Sequence, residues 1–123
     1  ELPCVERSDG TFMKETAPMA RYIARMNGLY PTNPLEGYHC DKIMEQYAPI
    51  LNNMVVWNFE TGASSKKSKA EALVALPKFF ESLKPFTSKS EWLIGDGKQI
   101  YACDFFVGSI YCDMLNNPKS TFS

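Results

Sequence analysis

The residues that could do chemistry are few and scattered. Four cysteines, Cys4, Cys40, Cys103 and Cys112, form no C-x-x-C pair and no zinc-type spacing. Cys103 and Cys112 fall nine residues apart in one predicted helix, too far along its axis to bridge each other. Reduced, mostly buried thiols are expected. His39 is the one histidine, so a Ser-His-Asp triad or a histidine metal site would have to be built around it alone. Nothing near it in sequence supplies a partner, and a surface histidine at a helix start is the expectation. No catalytic residue and no metal ligand is assigned. Asp104 sits in the first turn of an apolar helix, where a carboxylate satisfies free N–H groups, and reads as scaffold. Glu15-Thr16 opens another helix. A helix N-terminus with a hydroxyl cap is a ready carboxylate site, although capping alone also accounts for Thr16.

The elements that must hold these residues follow from periodicity. Leu2 to Arg7 and Thr11 to Lys14 read as short strands around a Ser8-Asp9-Gly10 turn. Pro3 would demote the first strand to an edge, or mark a cis bond after Leu2. A helix capped by Thr16 follows, with Met19, Ile23 and Met26 as its apolar stripe and Arg21 and Arg25 on another face. Asn27-Gly28 ends it, and Leu29 to Pro34 is a proline-stiffened linker. A long helix is expected from Leu35 to about Phe59, bent or broken near Pro49. Thr61 to Ser65 reads as a loop. Ser68 to Leu83 reads as a helix with Leu73, Leu76, Phe80 and Leu83 inward and a bend at Pro77. Ala102 to Leu115 is apolar on nearly every side, which predicts a central buried helix, and it is too short to cross a bilayer.

Composition narrows the function. The 123 residues make one domain, or one and a part, and 45% apolar with 22% charged residues is a globular balance. A net charge of -1 gives no reason to expect nucleic acid or an anionic membrane. Lys66, Lys67 and Lys69 read as a solvated helix start. With no signal-like or membrane-spanning run, the expected compartment is the cytoplasm.

The run W-L-I-G-D-G-K-Q-I-Y-A-C-D-F-F, 92–106, resembles the segment leading into the sixth helix of glutathione transferases. Leu2-Pro3, Glu15 to Tyr22, Asn27 to Pro31 and Asp41 match that family in order and spacing over almost the whole chain. The resemblance implies an α+β, mostly helical fold. Residues 1–31 would form a partial thioredoxin-like β-β-α unit, and 35–123 an all-α bundle of the family's C-terminal type. It implies glutathione as co-substrate, conjugated to hydrophobic electrophiles by thiolate attack. Leu2 would pair its backbone with the cysteinyl part, Pro3 would hold that geometry, and Glu15 and Thr16 would hold the γ-glutamyl end.

Departures from the family accompany these matches. Tyr101 stands where the family places a capping Ser or Thr, which predicts a capping box weaker by up to ~1 kcal/mol. Ala48-Pro49 stand where many members place an acid that reaches a partner's glutathione, with Glu45 a turn earlier as a substitute. Cys4, following the proline, is not promoted to nucleophile. The family's opening β-α-β unit, with its thiol-activating Tyr, Ser or Cys, is not among these residues. The chain is therefore expected to expose apolar surface in isolation, and to belong to a longer polypeptide or be covered by another chain. The alternative is a non-catalytic structural or docking subunit of a larger assembly. A transferase-like domain of a translation or synthetase factor is a third reading, which no basic extension supports.

Overall fold

The computed structural model describes residues 3–87 and 91–118. The chain begins with a hairpin of β1 (Val5–Glu6) and β2 (Phe12–Met13), antiparallel, with Val5 opposite Met13 and Glu6 opposite Phe12. Its turn is built as the sequence dictates. Gly10 takes φ 80°, its N–H donates to the Arg7 carbonyl at 2.9 Å, and the Asp9 carboxylate accepts from the Thr11 N–H at 2.9 Å. The strands are shorter than expected. Pro3 lies ahead of β1, and at the far end Glu15 turns to φ 70°, which ends extended geometry.

Helix α1 (Thr16–Met26) begins one residue earlier than expected. Glu15, not Thr16, occupies the N-cap position, and no side chain makes the capping bond. The Met19 N–H, which a Thr16 cap would have taken, bonds the Glu15 carbonyl at 3.1 Å instead. Met19 and Ala24 are buried, whereas Ile23 and Met26, expected in the same inward stripe, are 46% and 69% exposed. Asn27 and Gly28 close the helix, with Gly28 at φ 68° and the Leu29 N–H returning to the Ala24 carbonyl at 2.8 Å.

Helix α2 (Pro34–Phe59) supplies much of the core. Asn33 caps it, its side-chain oxygen accepting from Leu35 and Glu36 N–H at 2.9 and 3.2 Å, with Pro34 in the first turn. Pro49 does not end the helix. Ile50 and Met54 beyond it are buried with Ile43 and Met44 before it, so one apolar face spans the missing hydrogen bond.

Helix α3 (Gly62–Thr87) absorbs the expected loop. Ala63, Ser64 and Ser65 are small but not helix breakers, and the Ser65 hydroxyl donates to the Trp57 carbonyl at 2.9 Å, tying the new helix to the old one. Its inward face is Ser68, Ala72, Leu76, Phe79 and Leu83. That is a stripe shifted from the expected one. Leu73 points outward and Phe80 is half-buried.

Residues 92–101 form a compact loop whose Ile94 plugs the core. Helix α4 (Ala102–Ser109) follows and continues as a π-helix over Ile110–Leu115. Cys103 and Ile110 are fully buried, but Phe105 and Tyr111 are 54% and 53% exposed. The expected all-round burial is therefore corrected. α2 packs against this helix, while Phe105 and Tyr111, on different parts of its surface, are left about half exposed. Uncovered apolar surface, expected from the sequence, is thus present on this chain taken alone. Among the described residues no helix is long and apolar enough to cross a membrane.

Candidate functional site

The four residues singled out as a glutathione site come from two segments about a dozen residues apart, and the hairpin decides whether they meet. Val5 faces Met13 in an antiparallel ladder. Pro3 and Glu15 each lie two residues beyond that pair, so both fall at the open end of the hairpin, with the start of α1 immediately after Glu15. Pro3, Glu15 and Thr16 therefore share one end of the hairpin, and all three are exposed. Leu2 lies outside the described residues.

At that end the first backbone donors of the helix are not taken up within it. Thr16 and Ala17 occupy the first two helical positions, where N–H groups have no partner within the helix. Pro18 at the third has no N–H to offer, and no side chain caps the end. The hydroxyl of Thr16 is likewise not spent on the helix. Glu15 is the one non-glycine residue at positive φ among the described residues, φ 70° with ψ 117°. Such a conformation costs on the order of 1–3 kcal/mol and is a strain that the surrounding structure must hold. No residue type announced it. A glutamate in this backbone state is invisible to sequence patterns.

Behind the site, α1 is fastened to the helical part by charge and by backbone. The Arg21 guanidinium reaches the Asp41 carboxylate at 3.3 Å and the Glu45 carboxylate at 2.9 Å. Glu45, the candidate for reaching a partner's site, is thus engaged within its own chain. The Gln99 amide donates to the Gly28 carbonyl at 2.7 Å, and the Ala102 N–H donates to the Leu29 carbonyl at 2.8 Å. The linker therefore satisfies one of the free donors at the start of α4. Asp104 satisfies two more groups, accepting from Tyr101 N–H at 2.8 Å and from Leu93 N–H at 3.0 Å. It is scaffold, as its position implied. Tyr101 supplies no side-chain cap.

A groove of about 630 Å³ opens elsewhere, at the other end of α1, where Arg25, Tyr30, Pro34, Tyr38 and Asp41 line it. At 1.5 Å per residue, Arg25 stands about 14 Å along the helix from Thr16. The Arg25 guanidinium lies 4.5 Å from the centre of the Tyr30 ring. Burial, with Asp41 beside it, pushes the Tyr30 phenol above its ordinary value. The groove is not part of the candidate site.

The remaining candidates also find their places. Cys40 and Cys103 are buried, but Cys4 and Cys112 are exposed, so half of the thiols depart from the expected burial. His39 is half-buried, not a surface residue, and packs edgewise between Tyr38 and Phe86, with ring centres 5.2 and 5.1 Å away. No group of three or more potential metal-ligating side chains occurs among the described residues.

No protein-family model matches the chain. It is 30% identical over 102 residues to glutathione S-transferase 1 of Ascaris suum, covering 77% of this chain and 49% of the relative. It is 28% identical over 122 residues to S-crystallin SL11 of Nototodarus sloanii, covering 95% of this chain and 57% of the relative. The chain thus spans about half the length of the curated relatives it matches. Among solved structures, a monomeric glutathione S-transferase of the hookworm Necator americanus superposes with TM-score 0.76 at 26% identity, over 95% of this chain and 59% of that one. The short hairpin, the helix at its end and the helical layer behind it match the fold of that structure, and by sequence and by fold the chain is similar to glutathione S-transferases over about half of their length.

Proposed function

We propose that this chain contributes the γ-glutamyl-binding part of a glutathione transferase-like protein. The observation that carries this reading is the uncapped start of α1, next to the strained Glu15 and at the end of the hairpin that also carries Pro3. The α-carboxylate of the γ-glutamyl group would rest on the Thr16 and Ala17 N–H groups and accept from the Thr16 hydroxyl, where the helix dipole favours negative charge. The Glu15 carboxylate would take the ammonium group on the same carbon. The Leu2 backbone would pair with the cysteinyl part, held by Pro3.

In the same reading, residues 1–31 are the thioredoxin-like portion and 35–123 the helical portion of a cytoplasmic protein. The intact protein conjugates glutathione to hydrophobic electrophiles by attack of a thiolate whose pKa is lowered by a hydrogen bond. No residue of this chain is assigned to that activation.

The test is retention on immobilised glutathione, with binding quantified by titration calorimetry. Thr16→Ala removes one hydroxyl donor to a carboxylate and should weaken binding about ten-fold, equivalent to about 1.5 kcal/mol. Unchanged affinity in a folded Thr16→Ala protein, or no retention of the folded parent, refutes the assignment. A second reading, a non-catalytic structural or docking subunit, is favoured by one observation: the apolar side chains left open on α1 and α4. A folded protein that ignores glutathione but copurifies with a stoichiometric partner chain supports that reading instead.

A further inference from the structure

Asn27-Gly28 closes α1 and plays no part in the proposed site. It is the one Asn-Gly step in the sequence, the other asparagines preceding proline or bulkier side chains. Both residues are exposed. Gly28 stands at φ 68°, and a Cβ placed on it would meet nothing within 4 Å, so the backbone there has room to turn. Among the described residues no acceptor takes the Gly28 N–H. The joint is gripped at other points instead. The Asn27 amide donates to the Ile23 carbonyl at 2.8 Å, and the Gln99 amide, from the 92–101 loop, donates to the Gly28 carbonyl at 2.7 Å. The next carbonyl, that of Leu29, receives the Ala102 N–H at 2.8 Å.

We propose that Asn27-Gly28 is a deamidation site gated by Gln99, and that its conversion loosens the joint between α1 and the helices behind it. In the folded chain the reaction is restrained. At ψ 13° for Asn27 the Gly28 nitrogen is turned away from the Asn27 side chain, and the bonds to Ile23 and from Gln99 hold both partners. When the helix end opens, the Gly28 nitrogen gives its proton to solvent hydroxide and attacks Asn27 Cγ. The Cγ–N bond breaks and ammonia leaves, which closes a succinimide ring. Water then adds to either ring carbonyl and opens it to aspartate or isoaspartate. One side-chain amide and one water thus become one carboxylic acid and one ammonia, with no change of oxidation state. Either product puts a carboxylate at the C-terminal end of α1, where the helix dipole disfavours negative charge, and removes the donor to Ile23. Isoaspartate also lengthens the backbone by one carbon just before Gly28 and Leu29, whose carbonyls receive Gln99 and Ala102.

The test incubates the folded protein in warm, mildly alkaline buffer, beside the same protein held unfolded in guanidinium chloride. Intact mass and the mass of the peptide carrying Asn27 are followed with time. The expected result is the mass gain of an amide becoming an acid, confined to that peptide and slower in the folded protein than in the unfolded one. Gln99→Ala should convert about five-fold faster when folded, the factor that one ordinary hydrogen bond gives. Asn27→Ser should show no such gain, and the converted parent should unfold at a lower urea midpoint. A folded parent that keeps its amide while the unfolded one loses it overturns the proposal. So does first conversion at another asparagine, a Gln99→Ala rate equal to the parent's, or an unchanged midpoint after conversion. Should Gln99→Ala fail to fold by circular dichroism, Gln99→Met, similar in size and without a donor, decides the gating.

Discussion

Replacing Asp104 with alanine removes the side chain that holds the 92–101 loop to the start of α4. Its two oxygens accept from separate backbone donors, Tyr101 N–H at 2.8 Å and Leu93 N–H at 3.0 Å. Both bonds are part-buried, and neither donor has a ready substitute within the helix. A hydrogen bond to a charged group contributes about 1.5–3 kcal/mol, and partial solvent access favours the lower end. Two of them give about 3 kcal/mol for Asp104→Ala, a large fraction of the ~5–15 kcal/mol that holds a typical domain. Asp104→Asn keeps one acceptor oxygen and should lose roughly half as much, about 1.5 kcal/mol. Urea unfolding followed by circular dichroism measures this: the midpoint should fall in the order wild type, Asn, Ala, with an unchanged slope. Loss of less than about 0.5 kcal/mol in Asp104→Ala, the range of a neutral surface change, would refute the reasoning. So would an asparagine variant as unstable as the alanine one.

Other outcomes test the site and the core. Glu15→Gly should raise stability by about 1 kcal/mol in the same unfolding assay, because glycine adopts positive φ without strain, while weakening glutathione retention. A fall in stability would mean that Glu15 is held by a contact and not by backbone strain. Met54→Ala empties a fully buried position between α2 and its neighbours and should cost about 2–5 kcal/mol of unfolding free energy. Tyr30 has a phenol raised by burial, so the folded state holds its proton more tightly than the unfolded chain. Its contribution is complete below the ordinary tyrosine value near ~10 and is lost as pH rises through the folded value. Tyr30→Phe should flatten that alkaline decline in midpoint, and an identical decline in both proteins would exclude Tyr30 as its source.

Much of this molecule was legible in the residue order. Asn27-Gly28 and Ser8-Asp9-Gly10 acted as the turns and stops that their backbone freedom dictates, and the long helix expected from Leu35 to about Phe59 is present as α2. Asn33 followed by Pro34 and Glu36 carried a capping signal that a reading centred on prolines as linkers passes over. These are local properties: each depends on a few neighbouring residues and on a periodicity of one element. What tertiary structure alone decided depends on neighbours distant in sequence. Leu73 points outward and Phe79 inward because α2 meets α3 along a particular stripe, and the lone α3 pattern admits both. Phe105 and Tyr111 stand about half exposed because the packing of α4 and its π-helical continuation against their neighbours leaves those positions outside the core, although their apolar character alone favours burial. Glu15 takes a strained backbone because the end of the hairpin and the start of α1 must join there, and that constraint belongs to no single residue.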